Sequence, residues 1–214
     1  MKFKRARKAE EIEYRKEEIL GIARELCFDR GVMNWSLNEL GRRCSISKSN
    51  LYRYFVSREE VLMHLFAREM EAFVTGFDRK IDIRDLSIES FCKILAVHYT
   101  ECSFFCELLS LGPSILEHNI DVESIVGIKR SMIALIQPHA STYLRVLKWL
   151  TVESAVQASQ AIAIYVAGLW PIANPSETIR EITKMSEFEC IKFDFESQLI
   201  EFSSTLLLGY KNKT

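Results

Sequence analysis

The chain has 214 residues, of which 48% are hydrophobic and 27% charged, with only 8 Gly and 4 Pro. It is long enough to bury a core and too poor in breakers for a turn-rich β protein or a disordered one. Net charge is −1 but uneven: residues 1–60 carry 14 Lys and Arg against 10 Asp and Glu, a balance of +4, and the rest carry −5. A basic head on an acidic body predicts that only the head meets a polyanion.

No apolar run follows the basic start Met1 to Lys8, so no export signal is read and the cytoplasm is the expected location. The apolar stretch Ala161 to Trp170 is too short to span a bilayer. Six scattered cysteines without a C-x-x-C element read as reduced thiols. No glycine-rich phosphate loop, G-x-S-x-G or H-E-x-x-H string occurs, so neither an enzyme nor a cofactor or bound metal is expected.

In chain order, residues 1–8 read as a disordered basic arm able to reach DNA phosphates. From Glu10 to Asp29, Ile12, Ile19, Ile22, Ala23, Leu26 and Cys27 recur at helical spacing, and Gly31 supplies the stop. Ser36-Leu-Asn-Glu39 is a capping box that opens a short helix carrying Leu37, Leu40 and Gly41 inward. Cys44-Ser45-Ile46 is a break. Ser47 caps a helix expected to run to Phe55. Ser57-Arg-Glu-Glu60 is a second capping box, starting a long helix with Val61, Leu62, Leu65, Phe66, Met70 and Phe73 on one stripe. Three helix starts within 22 residues, with apolar faces in step, predict a helix-turn-helix.

The remainder reads as helix too. Ser87 caps a helix to Ser110, broken by Gly112-Pro113, and a short segment reaches Asn119. Asp121 opens a helix to Leu147, expected to bend at Pro138. Thr151 to Leu169 is another, and Trp170-Pro171 to Asn174-Pro175 a loop. Ser176 to Lys184 is a short helix, and Asp194 to Leu208 the last, stopped by Gly209. The fold expected is all-α.

Residues 15–62 resemble the DNA-binding domain of the TetR family of bacterial regulators. The resemblance lies in Ile19-Leu20 to Phe28, Gly31, Ser36-Leu37, Leu40-Gly41 and above all the string Ser45 to Leu62, with Leu51-Tyr52-x-Tyr54-Phe55 followed by Ser57-Arg58-Glu59-Glu60. The later part is similar to TetR-type regulatory domains at Glu107 to Ser110, Leu116 to Asn119, Gly168 to Pro171, Asn174-Pro175 and Phe193 to Glu196. Two departures stand out. Ser45 occupies a turn position where the family usually has Gly, and Trp35 stands where a small polar residue is common, either stapling the helix start or reaching DNA.

The resemblance implies three parts: residues 1–57, an arm and a three-helix helix-turn-helix domain; residues 58–76, a connecting helix; and residues 77–214, a helical bundle for ligand binding and dimerisation. It makes Lys48, Asn50, Tyr52, Arg53 and Tyr54 the expected DNA contacts. By chemistry Asn50 and Arg53 suit base edges and the tyrosines suit phosphates or thymine methyls. Ser47 and Ser49 share that segment. Ser36 and Asn38 would hold the backbone at a helix N-terminus, and Arg58 a phosphate. The expected partners are palindromic operator DNA, a second copy of the chain and a small hydrophobic or aromatic effector; the expected role is a repressor.

For the homodimer, the small-residue helix 151–169 and the last helix are expected to pair with their symmetry mates through Ala155, Ala158, Ser159, Ile162, Leu199, Phe202 and Leu206. The effector is expected among Phe91, Leu95, His98, Cys102, Phe105, Met132, Ile136 and Trp149, an apolar and aromatic set. His98, Cys102 and Cys106, spaced by four, leave open a soft metal or a thiol sensor beside the plainer reading of a core histidine and buried thiols. The rival to a DNA-binding regulator is a helical ligand-binding adaptor whose head no longer binds DNA.

Overall fold

The structure is a computed structural model that describes residues 2–81 and 86–213, without the side chains of 2–9, 113 and 114. It is helical throughout, with no strand among the described residues. The chain divides into two compact units, residues 1–67 with 112–129 and residues 68–111 with 130–214. That a stretch near residue 120 joins the first unit is not foreseen from the sequence.

The first unit contains α1 (Lys2–Arg30), α2 (Leu37–Arg43), α3 (Lys48–Leu51) and the start of α4 (Arg58–Lys80). Helix α1 takes in the stretch expected to be a disordered arm. The reason is composition: Lys, Arg, Glu and Ala dominate it, and no Gly or Pro interrupts it before Gly21. Ile19, Ala23 and Leu26 form its buried stripe. Gly31, at φ +88°, ends it, donating its N–H to the Cys27 carbonyl at 2.8 Å. Only glycine adopts that conformation freely.

The second unit contains the rest of α4, α5 (Ile88–Glu101), α6 (Ser103–Leu111), the end of α7 (Val122–Ala134), α8 (Ile136–Val146), α9 (Val152–Ala173), α10 (Glu177–Ile182) and α11 (Phe195–Lys211). Helix α9 packs on α6, α8 and α11, and α11 also packs on α5. A 3-10 turn over Ser186–Ile191 lies outside anything expected.

Later boundaries also differ from expectation. The helix read as one from 87 to 110 is two, α5 and α6, bent by 82°. Cys102 sits at the break (φ −95°, ψ 44°), its N–H shared between the His98 and Tyr99 carbonyls. Two residues earlier the Thr100 hydroxyl bonds back to the Ala96 carbonyl at 3.2 Å, a contact that often bends helices. The break between α7 and α8 falls at Leu135, not at Pro138. Proline at 138 cannot donate to the carbonyl four residues back, Ala134, and its ring crowds that carbonyl. Helix α9 runs through Pro171 to Ala173, and α11 passes Gly209 to Lys211.

The longer α9 alters one expectation. At 22 residues it is long and apolar enough to cross a membrane. Its Ala155, Ala158, Ile162, Val166 and Leu169 are nonetheless buried against neighbouring helices, while Ile164 and Ile172 remain exposed.

Candidate nucleic-acid interface

Helix α2 begins at Ser36, whose extended backbone (φ −125°, ψ 158°) lets its hydroxyl accept the Glu39 N–H at 3.3 Å. The box expected there is half made: the Glu39 carboxylate instead faces the Arg30 guanidinium at 3.7 Å. The turn that follows closes when the Ile46 N–H reaches the Gly41 carbonyl at 3.0 Å. A Cβ at Gly41 would stand 3.3 Å from the Ile46 carbonyl oxygen, so this glycine permits the close approach. Ser45 takes φ +55°, the conformation for which glycine is the usual residue, at a strain of about 1 kcal/mol. Arg15 of α1 holds the turn by donating to the Cys44 carbonyl at 3.3 Å.

Helix α3 starts at Ser47, whose hydroxyl accepts the Asn50 N–H at 3.3 Å. Its regular part ends at Leu51, not at Phe55. The Leu51 carbonyl then accepts from both Tyr54 (2.9 Å) and Phe55 (3.1 Å), and the chain turns tightly. Leu51 and Phe55 are fully buried and pin the segment to the core. Lys48, Ser49, Asn50, Tyr52 and Arg53 stand exposed, together with Ser36, Asn38 and Ser47; Tyr54 is half-buried. Lys48 lies over the Tyr52 ring, 5.7 Å from its centre, and Arg53 donates to the Asn50 side-chain oxygen at 3.4 Å. A groove of about 420 Å³ is lined by Ser36, Asn38, Tyr52, Arg58 and Asn119, among others.

Two residues find their reasons inside the chain. Trp35 is buried, so it belongs to the core of this unit and does not reach outward. Arg58 sits in the first turn of α4, where a positive charge opposes the helix dipole. Its Nη1 donates to the carbonyls of Met33 (2.7 Å) and Trp35 (3.2 Å), tying the segment before α2 to α4. Sequence reasoning missed the part played by Glu60. The Ser57 hydroxyl accepts the Glu60 N–H at 3.0 Å, but the buried Glu60 carboxylate reaches past Ser57 to the Val56 N–H at 2.6 Å.

In the second unit the residues expected around an effector fall into two groups. Phe91, Leu95, His98 and Phe105 are buried; Cys102, Met132, Ile136 and Trp149 are half-buried. The buried ones join rings that the sequence did not single out for this role. Phe73 lies 4.6 Å from His98, 4.7 Å from Phe105 and 5.6 Å from His139, centre to centre. Phe91 meets Tyr143 edge-on at 4.9 Å. Burial holds His98 below its usual pKa and brings His139 down to about 4. The signal for His139 and Tyr143 was their spacing of four on one apolar helix face.

Across the bend the Cys102 sulfur still lies 4.0 Å from His98 Nε2. The Cys106 thiol donates to the Tyr99 carbonyl at 3.2 Å, and burial raises both thiols above their ordinary range. Among the described residues no group of three or more His, Cys, Asp or Glu could hold a metal ion.

The dimer residues need correction. Ala155, Ala158, Ser159 and Ile162 are buried within the single chain on α9, which packs on α6, α8 and α11, and Leu199 is buried on α11, which packs on α5 and α9, so no second copy can meet them. Small residues bring helices together, and here they do so inside one protomer. Phe202 and Leu206 are half-buried. The outward stripe is Ile164 (75% exposed), Gly168 and Ile172 on α9, with Thr205, Leu208 and Gly209 on α11.

A capped helix-turn-helix with a polar, basic outer face, in a chain with no strand among its described residues, defines a DNA-binding transcription regulator. The chain belongs to the TetR family: residues 19–65 match the bacterial regulatory proteins of the tetR family, and residues 67–214 match the tetracyclin repressor-like C-terminal domain. No curated protein matches the chain by sequence. The fatty acid degradation regulator FadR from Bacillus halodurans shares the fold at 17% identity, over 91% of this chain and 95% of that one, with a TM-score of 0.54. Mycobacterium smegmatis AmtR aligns over 91% and 94% at 16% identity, with a TM-score of 0.39.

Proposed function

We propose that this regulator is a cytoplasmic repressor that holds a palindromic operator as a homodimer and is released by a small hydrophobic or aromatic ligand. The observation that carries the DNA reading is the exposed row Lys48, Asn50 and Arg53 on a segment anchored by fully buried Leu51 and Phe55. Arg53 and Asn50 offer bidentate chemistry for guanine and adenine edges in the major groove. Lys48, Ser36, Asn38, Ser47, Ser49 and Tyr52 suit phosphates and sugars. Tyr54, half-buried, contributes by its hydroxyl edge. Arg58 serves the backbone carbonyls first, and any phosphate contact is secondary.

Pairing is assigned to the outward stripe of α9 and α11, Ile164, Gly168, Ile172 and Leu208, with Phe202 and Leu206 at its margin. Two heads then meet half-sites about 34 Å apart. Effector binding is assigned to the aromatic cluster around Phe73. Helix α4 supplies Phe73 to that cluster and Arg58 to the first unit, so it is the element whose shift would couple ligand to DNA.

Selection of bound sites from random duplex DNA tests the reading. A palindrome with half-sites one turn apart supports it. Recovery of no preferred sequence favours the adaptor reading.

A further inference from the structure

Three polar atoms in the aromatic cluster have no hydrogen-bond partner among the described residues: Nδ1 of His98, Nδ1 of His139 and the Tyr143 hydroxyl. All three side chains are at least nine-tenths buried. They are neighbours: His139 and Tyr143 meet edge-on at 5.2 Å, and Phe73 and Phe77 each touch both histidines. Phe91 and Tyr99 complete the apolar surround. A buried polar atom without a partner is destabilising, and Trp35 Nε1, Arg58 Nε and Ser204 Oγ are others, but only here, among the described residues, do three gather in one cluster. Phenylalanine at these positions would fill the space without that penalty.

The protonation pattern narrows what could bond them. His98 Nε2 lies 2.9 Å from the Phe73 carbonyl, which only accepts, so the hydrogen of a neutral His98 is on Nε2 and Nδ1 is an acceptor. The ring is held against α4 because residue 76 is glycine. Tyr143 offers one donor and lone pairs. The histidines are kept neutral by burial. Beside His98 stand the paired Lys80 and Glu101, with the Glu101 carboxylate 4.0 Å from His98 Nδ1, too far for a hydrogen bond and repulsive to an anion.

We infer that this trio recognises the hydroxyl of an uncharged aromatic compound of the phenol class, which donates to a histidine Nδ1 and accepts from Tyr143. The inference rests on the effector reading given above. Charged aromatic acids are disfavoured, since the cluster supplies no free cation and its histidines stay neutral. Hydrocarbons of the same shape bind less well because they leave the trio unbonded.

The test uses the full chain and three probes of similar shape: p-cresol, p-xylene and p-toluate, titrated by calorimetry. Tighter binding of p-cresol by at least tenfold over both others is expected. Tyr143→Phe and His139→Phe should each remove that preference and leave p-xylene affinity unchanged. The unliganded Tyr143→Phe protein should melt higher than the parent, because an unbonded hydroxyl is gone. Equal affinity for p-cresol and p-xylene, tighter binding of p-toluate, or no binding of p-cresol would each overturn the inference. So would a lower melting temperature for unliganded Tyr143→Phe, which marks a hydroxyl held by structural water. Operator release is measured separately. Binding of p-cresol without release would refute induction and keep the site; release by other compounds with p-cresol unbound would do the reverse.

Discussion

The imidazole of His98 lies against α4 where Gly76 carries no side chain: a Cβ there would stand 3.1 Å from His98 Cε1. His98 cannot yield, since its Nε2 is bonded to the Phe73 carbonyl and its ring is packed beside Phe73 and Phe77. Glycine within a helix normally weakens it by about 1 kcal/mol relative to alanine. At this position the order is expected to reverse. Gly76→Ala should destabilise the protein by about 1 kcal/mol through overpacking. Gly127, with open space around it, serves as the control, and Gly127→Ala should stabilise by up to about 1 kcal/mol. Urea unfolding of both variants measures this; equal gains would show that His98 moves freely.

Arg53 is exposed, and its side chain bonds only the exposed Asn50 side chain among the described residues. Arg53→Ala should therefore leave unfolding unchanged while weakening binding to a selected operator by about 1–3 kcal/mol and relaxing preference at one base pair. Lys48→Ala should weaken all duplexes alike and lower the salt dependence by about one phosphate contact. Mobility shifts at two salt concentrations separate the two. An Arg53 variant with parental preference would remove that residue from base reading.

Ile162 and Ile164 are two residues apart on α9 and lie in opposite environments, one fully buried and the other 75% exposed. Ile164→Asp should turn a dimer into a folded monomer. Ile162→Asp should unfold the chain, since it leaves a charge buried among apolar neighbours. Sedimentation and circular dichroism together read the difference. A dimeric Ile164→Asp protein would place the pairing surface elsewhere.

Acid should weaken the fold through its buried histidines. The usual histidine pKa is 6.5, and His139 in the folded chain is at about 4. Between those values the unfolded chain binds the proton that the folded chain refuses, so stability falls as pH drops from about 6.5 toward 4. The slope from His139 approaches about 1.4 kcal/mol per pH unit within that window. His98 and His64, also lowered by burial, act with the same sign. Unfolding free energies at pH 7, 6 and 5 should show the decline, and His139→Phe should flatten it. An unchanged slope in that variant would assign the effect to other groups.

The head was the more legible part of the sequence because its signals are local. Ser36, Ser47 and Ser57 cap their helices with their own hydroxyls, and Gly31 and Ser45 take the left-handed backbone that their positions require. The bundle depends on signals that are not local. Nothing between Ser87 and Ser110 breaks a helical pattern, yet the chain turns sharply at Cys102. Pro138 shows that a helix is interrupted, but the interruption lies a turn upstream, where the lost hydrogen bond belongs. The alanines of α9 say that helices approach closely; whether the neighbour belongs to the same chain or a second copy is decided by packing. The charge at Arg58 has the same character: it suggests a phosphate, and the carbonyls that hold it come from residues 33 and 35.

Helix α9 also has a consequence for how the protein is made. It leaves the ribosome as a 22-residue apolar rod, a segment that membranes and aggregates both attract. Two of the helices that cover it, α6 and α8, precede it in the chain and have already been synthesised, whereas α11 follows. The inner face is uncovered only until the final helix emerges, whereas the stripe of Ile164, Gly168 and Ile172 stays exposed in the single chain.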